Sequence, residues 1–101
     1  HLKRFSITPA GQNVTNRHSV LFPRELLDFD ALSNHTETTS MVYDLVSVIQ
    51  HIPSGSCSGG HYITLARKDV HRPWNRFDDS AVHAAEDRDF CQKGAYVLIY
   101  K

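Results

Sequence analysis

The chain has 101 residues, 41% hydrophobic and 22% charged, with 11 Lys and Arg set against 11 Asp and Glu. That length holds one ordinary domain, and the near-average composition excludes a disordered tail, a collagen-like repeat or a coiled coil. A formal net charge of zero provides no basic stripe for nucleic acid, and no run nears the roughly 18 apolar residues of a membrane helix. Neither nucleic acid nor a membrane is therefore an expected partner. Histidine, present seven times, is the one compositional outlier.

The first expected element is a short strand over 2–7, ended by the turn signal Thr8-Pro9-Ala10-Gly11. Residues 12–17 are polar and read as loop. Ser19-Val20-Leu21-Phe22 reads as a strand that stops at Pro23, where a ladder donor is lost. Residues 25–32 fit one helical turn or an extended stretch equally well. Residues 33–40, small and polar, read as a surface loop.

Residues 41–52 give the strongest strand signal, with Val42, Val46 and Val48 on one face and Tyr43, Leu45 and Ile49 on the other. Apolar residues on both faces predict a central strand covered on both sides. A Ser/Gly connection over 53–60 follows, then a strand over 61–67 with His61, Ile63 and Leu65 on one face. A turn is expected over 68–73, a short strand over 74–77, and a short helix within 80–89. Ala95-Tyr96-Val97-Leu98-Ile99-Tyr100 reads as a last buried strand. The tally is about six strands and little helix: an antiparallel sheet with one or two small helices, in an α+β fold.

His1-Leu2-Lys3-Arg4-Phe5 reads as the inside of a strand with no initiator Met before it, so a longer parent chain is expected. Cys57 and Cys91 are too few and too far apart for a disulfide framework or a zinc site. No His-x-His or His-x-x-x-His spacing exists, so no metal site is expected. Two sequons, at Asn13 and Asn34, would matter only in a secreted protein. A reduced intracellular compartment, cytoplasmic or nuclear, is the simpler reading.

Chemistry concentrates around His61. It follows Gly59-Gly60, whose missing Cβ atoms let another chain pass close to the backbone. Seventeen residues later comes Asp78, after a Trp-x-x-Phe segment. If the two strands are adjacent and antiparallel, the carboxylate reaches an imidazole nitrogen, fixes its tautomer and stabilises its protonated form. A histidine held so is a general base or the partner of a thiolate. Asp79 competes for the role; strand alternation puts it on the opposite face from Asp78, and spacing does not choose between them.

The chain resembles the C-terminal, histidine-box half of the ubiquitin-specific proteases, the papain-like cysteine deubiquitinases. The resemblance rests on Gly59-Gly60-His61-Tyr62, on Trp74-x-x-Phe77-Asp78-Asp79-Ser80-x-Val82, and on Ala95 to Tyr100. Tyr43-x-Leu45, His51 before the Ser/Gly loop, His1-Leu2-Lys3-Arg4-Phe5 and Val20-x-Phe22-Pro23 complete the family's order. Residues 1–101 would then be the C-terminal part of such a catalytic domain, with the nucleophile half absent.

What the resemblance implies is a thiol-dependent hydrolase that cleaves the bond after ubiquitin's terminal glycine and needs no cofactor. His61 matches the catalytic histidine and Asp78 the residue that orients it, with Asp79 a neighbour assisting polar contacts. Gly59 and Gly60 match the loop bordering the channel for ubiquitin's Gly-Gly tail. His51, Tyr62 and Phe5 match positions that line or support the tail groove. Trp74, Phe77, Tyr96 and Leu98 are expected in the core. The family's nucleophile, a cysteine at a helix N-terminus, has no match here. Cys57, in a Ser/Gly loop without a helix dipole, does not replace it. This piece alone is expected to be inactive, and ubiquitin or ubiquitinated proteins are the expected partners. The alternative is a ubiquitin-binding or scaffold pseudo-enzyme of the same fold, distinguished by the residue at the upstream nucleophile position.

Overall fold

Apolar and β-branched residues at alternate positions from Leu45 onward build the sheet that organises the molecule. The computed structural model describes residues 1–29, 41–53 and 60–101. Two small antiparallel pairs come first: β1 (Phe5–Ile7) with β2 (Asn13–Thr15), and β3 (Leu27–Asp28) with β4 (Val42–Tyr43). The remaining strands, β5 (Leu45–Pro53), β6 (Gly60–Ala66), β7 (Asn75–Asp78), β8 (Ala81–Ala84) and β9 (Ala95–Tyr100), form one antiparallel sheet ordered β8-β7-β6-β5-β9.

The strand expected over 41–52 is divided at Asp44. The Asp44 backbone exchanges two hydrogen bonds of 2.9 Å with Lys101, and its carboxylate accepts the Leu26 N–H at 2.9 Å. The expected faces are also corrected. Leu45 and Val48 lie together in the buried core, although strict alternation separates them. The pairing of β5 with β9 skips Val46, going from Leu45↔Tyr100 to Ser47↔Ile99, so a bulge resets the alternation. Leu65 and Ala95 complete that fully buried group, with Leu98, Trp74 and Phe90 packed against it. Each fully buried Leu or Val there contributes about 1.5–3 kcal/mol of burial.

Other expectations shift in the same way. Residues 13–15 are strand, not loop, because the Thr8–Gly11 turn, with Gly11 at φ +78°, folds them back onto β1. Residues 19–22 join no ladder; Val20 N–H reaches the Gln92 carbonyl instead. Part of the stretch expected to be helical is β8, paired with β7 through a two-residue turn at Asp79-Ser80. The helical content among the described residues is one 3-10 turn at Asp87–Asp89. The 33–40 loop and nearly all of the Ser/Gly connection, including Cys57 and Gly59, lie outside the described residues.

Three buried polar side chains act as internal ties. Gln50, without exposure, donates to the Asp89 carbonyl at 2.9 Å and accepts the Cys91 N–H at 2.5 Å. Arg4 donates to the backbone carbonyls of Ala95, Asn16, His18 and Gln92. Arg67 donates to those of Leu45, Val70 and Arg24, with its guanidinium over the Trp74 ring. Each donor aimed at a carbonyl avoids the penalty of a buried polar group left unmade.

Candidate active site

Register decides which side chains can meet. Val48 pairs with Leu65, Gln50 with Ile63 and Ile52 with His61, so His61 shares the face of the buried core. On the other side β6 meets β7 through Thr64↔Phe77 and Leu65↔Arg76. Continued one step, that ladder sets Asp78 on the same face as His61, as its diagonal neighbour. The imidazole Nε2 donates to Asp78 Oδ1 at 2.5 Å. The second carboxylate oxygen, Oδ2, accepts from Arg76 Nη2 at 2.6 Å. The carboxylate is thus bridged between an imidazole and a guanidinium, and the His61 side chain remains 42% exposed.

The hydrogen bond to Asp78 is the main cause that raises the His61 pKa; Asp79 adds to it, while partial burial and Arg76 oppose it. The same bond holds the Asp78 carboxyl below its usual range, with Arg76 and His83 acting in the same direction. Because Nε2 is engaged, Nδ1 is the nitrogen left to face a reacting group. An imidazole fixed in tautomer and biased toward its protonated form suits ion pairing with a thiolate and proton delivery to a leaving amine.

Asp79 departs from the expected opposite face. It opens the turn into β8 with φ +49°, and its carboxylate comes within 4.8 Å of the His61 and Asp78 ligand atoms. The positive φ takes it out of strand alternation. Those three groups form a donor set of the kind a divalent cation accepts. Two of its members are already bonded to each other, and the adjacent Arg76 guanidinium repels a second cation.

The other predicted residues gather on the opposite face. His51 pairs with Tyr62 in register, and their rings lie 5.0 Å apart. Phe5 sits edge-on to His51 at 5.2 Å and to Tyr96 at 5.5 Å, and Tyr96 reaches Tyr62 at 5.8 Å. Phe5 and Tyr62 are both substantially exposed. Gly60 lies on that same face, and a Cβ there would fall 1.7 Å from His51 Nε2, so the imidazole lies directly on the glycine. Gly60 therefore makes room for a side chain of its own chain. Trp74 and Leu98 pack on the core as expected, whereas Phe77 is exposed on the face opposite Asp78. Sequence reasoning missed Arg76; the signal was its place two residues before Asp78 on a strand, hence on the same face.

Known proteins resemble this chain in sequence and in fold. A family model described as ubiquitin carboxyl-terminal hydrolase matches residues 1–100. The chain is 34% identical over its whole length to ubiquitin carboxyl-terminal hydrolase 4 of Mus musculus, and equally to ubiquitin carboxyl-terminal hydrolase 15 of Homo sapiens. It spans 10% of the length of either. Among solved structures, the SAGA Ubp8/Sgf11/Sus1/Sgf73 DUB module superposes with a TM-score of 0.78 at 27% identity, covering 98% of this chain and 22% of that one. The same module bound to ubiquitin aldehyde gives 0.76 at 26% identity, covering 97% and 22%. No helix among the described residues is long and apolar enough to cross a membrane. A match running the length of the chain, carried by sequence and fold alike, makes this chain a member of the ubiquitin carboxyl-terminal hydrolase family, as a fragment of a ubiquitin-specific protease.

Proposed function

We propose that residues 1–101 supply the histidine and aspartate of a thiol-dependent deubiquitinase acting on the bond after ubiquitin's C-terminal glycine. The observation that carries the reading is the bond from His61 Nε2 to Asp78 Oδ1, within a chain whose relatives are ubiquitin carboxyl-terminal hydrolases. A cysteine thiolate from the part of the domain N-terminal to this chain attacks the scissile carbonyl carbon, paired with protonated His61 through Nδ1. As the tetrahedral intermediate collapses, His61 passes its proton to the leaving lysine amine, and an acyl-thioester remains. His61, now neutral, takes a proton from the water that attacks the thioester. The second collapse releases the ubiquitin carboxylate and restores the thiolate–imidazolium pair. Asp78 keeps the ring oriented throughout, and Asp79 adds negative charge beside it.

Gly59 and Gly60 border the channel for ubiquitin's Gly-Gly tail in this reading, and Phe5, His51 and Tyr62 line or support its groove. Half-exposed aromatic rings at the His61 end of the sheet suit contact with an extended peptide. With its helical, nucleophile-bearing part the domain is α+β, it works in the cytoplasm or nucleus, and this portion alone is inactive. The test is intact-mass analysis of the whole protein after exposure to ubiquitin bearing a C-terminal electrophile. One adduct on a cysteine N-terminal to this chain, lost in His61→Ala, is expected. No adduct from folded protein would point to a ubiquitin-binding pseudo-enzyme, and an adduct on Cys57 would overturn the assignment of the nucleophile.

A further inference from the structure

Arg76 fills an unspecified position of the Trp74-x-x-Phe77-Asp78 motif, yet it touches the group on which His61 depends. Its Nη2 donates to Asp78 Oδ2 at 2.6 Å, while Oδ1 of the same carboxylate accepts from His61. Arg76 and Asp78 lie two positions apart on β7 and so share a face, and Arg76 is flanked in register by Leu65 on β6 and His83 on β8. Its Nε is buried without a partner, which leaves the contact to Asp78 as the polar bond that orients the guanidinium.

A carboxylate on a strand end can rotate about its terminal bond, and that torsion has a broad minimum. A second donor on the far oxygen removes this freedom. Charge adds a second effect, since a guanidinium beside the carboxylate offsets part of the field that Asp78 exerts on the imidazole. We infer that Arg76 is a positioning residue, which locks the Asp78 carboxylate with Oδ1 aimed at His61 and limits how strongly the pair retains its proton. The inference rests on the deubiquitinase reading for its kinetic consequence, though not for its electrostatic one.

Among the described residues, the charged and titratable groups surrounding His61 are Asp78 and Arg76 on β7 and Asp79 in the turn, with His83 on β8 acting on Asp78. Arg76 is the cation among those acting on His61, and it lowers the imidazole pKa that Asp78 and Asp79 raise. Its removal therefore has a definite sign at His61.

Three variants of the intact protein separate the two effects. Arg76→Gln keeps an N–H donor for Oδ2 and removes the charge. Arg76→Lys keeps the charge, and Arg76→Ala removes both. The His61 imidazole is titrated by NMR in each, and hydrolysis of a ubiquitin C-terminal amide substrate is measured across pH. The midpoint is expected to rise in Arg76→Gln and to stay near the wild-type value in Arg76→Lys. For Arg76→Ala, kcat is expected to fall by about tenfold to hundredfold with KM within about twofold, because mis-aimed groups slow chemistry rather than binding. Arg76→Lys should recover most of that loss. An unshifted His61 midpoint in Arg76→Gln, or an unchanged kcat in Arg76→Ala, overturns the inference. A wild-type protein that binds ubiquitin without hydrolysing it overturns the functional reading instead, and the NMR midpoints then decide the role of Arg76 alone.

Discussion

Gly60→Ala makes a sharp test of how His51 is seated in the aromatic cluster. A Cβ at residue 60 would fall 1.7 Å from His51 Nε2 and 2.6–2.7 Å from Cε1 and Cδ2, so the imidazole must leave its place. Moving it sacrifices the edge contact with Phe5 and the tilted contact with Tyr62. Forcing atoms into such a site costs about 1–3 kcal/mol. Against that, Ala narrows the unfolded ensemble, and Gly60 is in none of the positive-φ conformations that Ala resists, which returns about 0.4–1 kcal/mol. The net expectation is a loss of about 1–2 kcal/mol, read from urea midpoints of the intact protein. With His51→Ala in the background the clash is gone and Gly60→Ala should stabilise by about 0.4–1 kcal/mol. An equal cost in both backgrounds would refute the reasoning, because the penalty would then belong to the backbone and not to His51.

Replacing Gln50 by Leu leaves the part-buried Cys91 N–H and Asp89 carbonyl without this partner, an expected loss of about 2–6 kcal/mol at about 1–3 per group. Faster exchange of the Cys91 amide should accompany it, and a loss under about 1 kcal/mol would count against the role of Gln50 as a tie. Stability should also follow the His61–Asp78 pair. The share of His61 is complete below its ordinary value of 6.5 and is lost as pH rises through the higher folded value. That of Asp78 is complete above 3.8 and is lost as pH falls through the lowered one. Asp78→Asn should flatten both limbs of the urea-midpoint profile against pH, and a variant curve parallel to wild type would contradict this. In hydrolysis assays Asp78→Asn is expected to lower kcat by about 10²–10⁴-fold and Asp79→Asn by at least about tenfold less, since Asp78 is the carboxylate bonded to the ring. The reverse order would transfer the orienting role to Asp79.

Motif order and strand alternation made the family and the His61–Asp78 pairing legible before any coordinates. Alternation failed where the backbone leaves the strand conformation. The bulge at Val46 put Leu45 and Val48 on one face, and the left-handed Asp79 brought its carboxylate back toward His61. Neither event has a local composition signal, because both arise from pairing with a distant strand or from closing a two-residue turn. The burial of Arg4 and Arg67 was hidden for a related reason. Their acceptors are backbone carbonyls, which every residue carries, so no partner residue marks them in the sequence. In sequence Gly60 marks a close approach of some other group to the backbone; the structure identifies one such group within the chain as His51, nine residues earlier and across the hairpin.

The Arg4 side chain bonds to the carbonyl of Ala95, 91 positions away, and β9 takes its place beside β5 only when residues 95–100 exist. During synthesis β5 and β6 can zip together early, leaving β5 with a bare edge and Leu45 and Val48 unroofed. At about 5–20 residues per second that exposed interval lasts a few seconds before β9 emerges. Contacts this long in sequence also close slowly once the chain is free. Among the described strands β9 is thus the last to emerge, and a nascent chain stalled before residue 95 carries β5 as an open edge ready to pair with another chain.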